Sequence, residues 1–166
     1  MSQQAKAFRT LIYTLLAGPV LIGAAVYSVL NRSTAKTPFN PPLAVVAAQV
    51  VVAVVLHFVC EASYRRVQPL GLDLSEQDAP RQAFARFMAS VVMRFALCEG
   101  LIIVSLVAAF VVSSGGYGVY LVGFVLGEAL LLIHAYPWRR PVLKTQARLD
   151  ADGRRGALAE AFGISE

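Results

Sequence analysis

Two glutamates stand inside apolar runs of helix length. Glu99 lies within residues 94–112, and Glu128 lies within the run that follows. A carboxylate in hydrocarbon is expensive, so an acid so placed is by default a candidate functional group. Two kinds of chemistry are open to it: binding and releasing a proton, or hydrogen bonding across helices as the neutral acid. An earlier run carries Gln49, Ala53, His57 and Glu61 four residues apart, hence on one helical face. Cys60 adjoins that face. Cys98, Arg94 and His134 belong to the later runs.

The elements that position these groups follow from composition. Of 166 residues, 57% are hydrophobic and 15% charged; a soluble domain is nearer a quarter charged. Four stretches, 11–30, 43–64, 90–112 and 117–136, have the ~20 residues that cross a ~30 Å hydrocarbon core. The expectation is an all-α integral membrane four-helix bundle. It forms a single membrane domain over 1–166, with a loop at 65–89 and a tail at 137–166. The first run follows Lys6 and Arg9 like a signal peptide. Its length and the three further spans argue for a retained helix, kinked at Gly18-Pro19.

The connections carry their own signals. Asn31-Arg32-Ser33 matches a glycosylation acceptor, which would be a chance match in a chain of bacterial source. Asp78-Ala-Pro80 reads as a helix start with Asp78 as N-cap. It opens an interfacial amphipathic turn or two, with Phe84, Phe87, Met88 and Val91 on one side. The short uncharged turn Ser113-Ser-Gly-Gly-Tyr-Gly118 makes the last two spans an antiparallel hairpin. Gly123-x-x-x-Gly127 permits close helix approach, and packing within the chain is its expected use. Tyr136-Pro-Trp-Arg-Arg140 ends the span with aromatic and basic headgroup anchors. The tail reads as polar, with a short helix at 154–162.

Basic residues number 15 against 10 acidic. Lys6, Arg9, Arg65, Arg66, Arg81, Arg86, Arg139, Arg140, Lys144, Arg148, Arg154 and Arg155 fall to one side, and Arg32 and Lys36 to the other. The positive-inside rule then puts both termini in the cytoplasm. Arginine outnumbers lysine 12 to 3, a codon-usage hint of a bacterial source and an inner-membrane, multi-pass location. No stretch interleaves aromatic and basic residues on a soluble face, which argues against nucleic acid. Cys60 and Cys98 read as free buried thiols, with no secreted disulfide framework.

Orientation converts position into depth. Counted from the span ends at 1.5 Å per residue, Glu99 and Glu128 lie ~12 Å in and His57 ~10 Å in. These three proton-binding candidates share one layer. Glu61, His134 and Arg94 lie nearer the surface, where Arg94 is expected to snorkel outward. With Gln49 they make a supporting polar cluster. Two acids at one depth on adjacent helices would repel when both ionised, and would titrate as a coupled pair sharing a proton.

Ala96-Leu-Cys-Glu-Gly-Leu-Ile-Ile-Val-Ser-Leu-Val-Ala-Ala-Phe110 resembles the carboxylate-bearing helix of subunit c in rotary ATP synthases. The resemblance covers residues 96–110 and implies a proton-binding carboxylate at Glu99. The family's glycine-repeat first helix is absent, its Arg-Gln-Pro loop is not matched by residues 78–82, and this chain has more spans.

The residues alone favour a non-enzymatic accessory, scaffold or assembly protein without a cofactor. Its partners would be the lipid bilayer and other membrane proteins or its own copies. The alternative is a proton-linked component using Glu99 and Glu128. A metal or haem protein ranks third, since His57-x-x-Cys60 has ligand-like spacing. Bis-histidine haem through His57 and His134 is opposed by depths that differ by ~6 Å. No hydrolase constellation, P-loop or dinucleotide fingerprint is present.

Overall fold

The computed structural model describes residues 2–32, 39–153 and 157–164. All regular structure among them is helical: α1 Gln3–Arg32, α2 Leu43–Ser63 with a 3-10 turn at Tyr64–Arg66, α3 Asp78–Val111, α4 Gly116–His134, α5 Arg139–Leu149 and α6 Leu158–Ala161. The first four are each long and apolar enough to cross a membrane. The glycosylation match at Ser33, the basic residues Lys36, Arg154 and Arg155, and the start of the expected helix at 154–162 lie outside the described residues. What is seen of that helix is the single turn of α6.

The long helices alternate in direction. Phe8 of α1 meets Phe84 and Phe87 near the start of α3, and Tyr64 at the end of α2 meets His134 at the end of α4. At the other end Tyr27, Phe39 and Tyr117 pack edge to face or tilted. The hairpin partners α3 and α4 pack most extensively, and α4 also touches α1 and α2. It therefore sits centrally. Glycines allow this: a Cβ at Gly123 would overlap the Ser105 side chain, and one at Gly127 would overlap Ile102. The Gly123-x-x-x-Gly127 pair is thus filled from within the chain, as expected. Tyr120 of α4 donates to the Pro19 carbonyl at 2.6 Å. Helix α1 runs through Pro19 without interruption.

The helix start read at residues 78–80 is where α3 begins, and it continues unbroken into the third span; the capping residue differs. Helix α3 begins at Asp78, so its 34 residues span about 51 Å at 1.5 Å each, some 20 Å more than hydrocarbon needs. Its start is capped by Ser75, not Asp78. The Ser75 Oγ accepts the Asp78 N–H at 3.1 Å and donates to the Asp78 carboxylate at 2.6 Å, a reciprocal arrangement like a capping box.

The tail is also not simply polar. Helix α5 buries Pro141, Val142, Thr145 and Leu149 on one face. Phe162 packs against Phe8, Phe84 and Phe87. Backbone bonds tie Ser2 N–H to the Ala161 carbonyl at 2.7 Å and Leu70 N–H to the Leu149 carbonyl at 2.9 Å. A small apolar core outside the four-helix region results, built from both ends of the chain and the projecting start of α3.

Candidate functional site

The polar stripe of α2 turns inward as its spacing requires. Gln49, Ala53 and Cys60 are buried, and His57 and Glu61 half-buried. The stripe serves three separate groupings.

The first is a junction of three helices. The Gln49 amide donates to Ser105 Oγ of α3 at 2.8 Å and to the Val119 carbonyl of α4 at 2.9 Å. The Ser105 hydroxyl in turn donates a hydrogen bond to the Leu101 carbonyl at 2.7 Å. Each contact joins neutral partners. The group is a hydrogen-bonded clasp.

The second grouping lies at the far end of α2. His134 Nε2 and His57 Nδ1 are 3.0 Å apart, so the depth difference expected between them is overturned. Depth counted from span ends assumes level helices, whereas the offset of α2 against α4 brings the two rings into contact. His57 accordingly keeps company with His134 and Glu61, not with Glu99 and Glu128. The nitrogens are too close for bis-histidine haem, which needs roughly 4 Å between them, twice a metal–nitrogen bond of about 2.0 Å. Ligand atoms of His57, Glu61 and His134 all lie within 4.8 Å of one another, a set able to hold a metal ion. Two cations compete for Glu61: Arg140 at 2.8 Å on one oxygen and Lys144 on the other. Beside Glu61 lies an open hollow of about 460 Å³, bordered by Phe58, Tyr64, Arg65, Lys144 and Arg148.

The third grouping was the least expected. Arg94 does not snorkel; it is 0% exposed. Its guanidinium carbon lies 3.9 Å from the centre of the Tyr64 ring. None of its three side-chain nitrogens has a hydrogen-bond partner among the described residues. Next to it, within electrostatic reach, are Cys60 and Cys98. Both thiols are fully buried, and their sulfurs are 3.8 Å apart between α2 and α3. The signal was in the sequence. Phe87, Val91, Arg94, Cys98, Leu101 and Ser105 recur three or four residues apart and form the buried stripe of α3.

Glu99 and Glu128 are each half-buried. Glu128 Oε1 is buried without a hydrogen-bond partner among the described residues.

Between α2 and α3 runs an apolar groove of about 370 Å³, bordered by Ala48, Val52, Leu56, Leu97, Gly100 and Val104, with Gln49 and Ser105 in its wall. No protein-family profile, curated protein or solved structure matches this chain.

Proposed function

We propose that the chain is a multi-pass protein of a bacterial inner membrane, with both termini cytoplasmic, acting as an accessory or assembly component through helix contacts. The observation that carries this reading is the outward face of α2. Val51, Val54, Val55 and Phe58 are each at least half exposed, and only 17% of the apolar window of α2 is buried. Such a face is untenable in water and suits lipid or a neighbouring membrane helix. The interior clasp at Gln49 holds the bundle rigid behind that face. A photo-crosslinker placed at Val51 or Val55 in native membranes is expected to give one protein adduct of defined mass, the same from both positions and absent from Val125 on α4. Adducts to lipid alone would overturn the accessory reading. For orientation, cysteines introduced at Ser75 and Ser114 should label from opposite sides, Ser75 from the cytoplasm. Labelling of both from one side would sink the four-span arrangement.

A second reading is favoured by the buried, unpartnered Glu128 oxygen, together with the local likeness to subunit c. On that reading the acid pair carries protons. Proteoliposomes should then show a proton flux that is abolished by Glu99→Gln and by Glu128→Gln. Equal flux in the variants would leave the acids as interhelical hydrogen-bonding groups.

A further inference from the structure

A guanidinium without an anion is the strongest anomaly inside this bundle. Arginine cannot shed its proton in a protein. A buried cation needs an opposite charge or several hydrogen bonds, or its desolvation goes uncompensated. Arg94 has neither among the described residues, only the face of Tyr64. The acid that could reach it, Glu61, is held by Arg140 and Lys144. Among the described residues, two sulfurs also stand beside Arg94. Cys98 stands one helical turn after Arg94 on the same face of α3, and Cys60 meets Cys98 from α2. The thiolate is the nucleophilic form of cysteine, and a neighbouring cation favours it. The geometry thus provides two thiols in contact and a fixed positive charge next to them.

An apolar groove comes within one helical turn of the buried sulfurs without being lined by them. The α2–α3 groove ends at Leu56, one turn before Cys60, and at Leu97, which adjoins Cys98. Val52 and Val104 on its rim are 45% and 66% exposed, so the groove opens on the lipid-facing side. Its volume falls in the range of about 300–1,000 Å³ of small-molecule sites. No histidine or carboxylate joins the sulfurs in a ligand set among the described residues, which separates them from the His57–Glu61–His134 grouping.

We propose that Cys60 and Cys98 form a redox-active dithiol inside the membrane bundle, with Arg94 as its positioning cation and a lipid-soluble quinone, entering by the α2–α3 groove, as its oxidant. In the net step two S–H bonds break and one S–S bond forms between α2 and α3. Two electrons and two protons leave the thiols. The quinone takes up both of each and becomes the hydroquinone. The sulfurs must close from van der Waals contact to a bond of about 2.0 Å, which side-chain rotation and a small approach of the two helices supply. Arg94 acts by stabilising whichever sulfur carries negative charge during the exchange. This activity rests on other residues than the accessory reading, and neither stands or falls with the other.

The test uses the full chain, reduced and then freed of reductant, in lipid nanodiscs. Tetramethylbenzoquinone is the probe, because its ring is fully substituted and resists alkylating thiols. The expected result is one hydroquinone formed per chain, an intact mass lower by two hydrogens, and no thiol left to alkylate after unfolding in detergent. Cys60→Ser should give no hydroquinone. Arg94→Met should slow the reaction roughly tenfold or more while circular dichroism stays unchanged, and Arg94→Lys, which keeps the charge, should restore most of the rate. Thiols that stay free in the folded wild type while the unfolded chain oxidises would overturn the proposal. So would equal rates in wild type and Arg94→Met, or a product cross-linked only between chains.

Discussion

The Gln49 junction and the Arg94 junction invite comparison. Both sit where α2 faces α3, both are polar, and both are nearly sealed from solvent, with Gln49 at 7% and Arg94 at 0% exposure. At Gln49 both amide hydrogens find acceptors on two other helices. At Arg94 no side-chain nitrogen finds an acceptor among the described residues, and the guanidinium lies against an aromatic face. A neutral amide can place both its donors on neutral acceptors and work as a clasp, even though the Gln49 Oε1 has no partner among the described residues. A cation in the same setting demands an anion, and with Glu61 held by Arg140 and Lys144 the residues in reach include two thiols. The contrast teaches that burial of a polar side chain in a bundle does not by itself mean structural use. What decides is whether its charge and its donors are matched.

The comparison can be broken most forcefully at Gly123. A side chain there would collide with Ser105 and press on the Gln49 amide. Gly123→Leu should destabilise the bundle by ~3 kcal/mol through overpacking, read by reversible unfolding in mixed micelles. A well-folded, equally stable Gly123→Leu protein would mean that the clasp is not tightly packed. The next largest effect should have the opposite sign. Arg94→Met removes a charge without hydrogen-bond partners and should stabilise by ~2 kcal/mol, as when buried ions are replaced by apolar groups. If Arg94→Met instead destabilises as strongly as Gly123→Leu, Arg94 is itself a clasp and the distinction collapses. Gln49→Leu should cost ~1 kcal/mol, the scale of an interhelical hydrogen bond in lipid.

The smallest expected effect sharpens the contrast from the surface. Glu61 pairs with Arg140 and Lys144, whose side chains are 57% and 39% exposed. Glu61→Gln should cost ~0.5 kcal/mol, because solvent screens such pairs, and the difference from wild type should shrink as salt is raised. A large, salt-independent loss would place Glu61 with the buried groups instead.

Much of the architecture was legible from residue order. Runs of about 20 apolar residues can only be long helices when the backbone must satisfy itself in lipid. The four-residue spacing from Gln49 to Glu61 determined which face of α2 turns inward. The short Ser-Gly turn at 113–118 made α3 and α4 antiparallel neighbours, and the glycines of α4 found their use within the chain. Other features were encoded but overlooked. The 142, 145, 149 spacing of α5 and the stripe that carries Arg94 are both periodic signals.

Tertiary structure alone decided which polar groups meet. Residue counting yields distance along one helix axis, but not the offset or rotation of one helix against another. His57 and His134 were separated by that counting and brought together by packing. Cys60 and Cys98, far apart in sequence, became neighbours because α2 and α3 present those two faces to each other. Glu61 was captured by a tail helix whose position no local pattern specified. Periodicity determines the face a residue occupies; only the packing of the whole bundle determines what that face is pressed against, and with it whether a buried charge finds a carboxylate or two thiols.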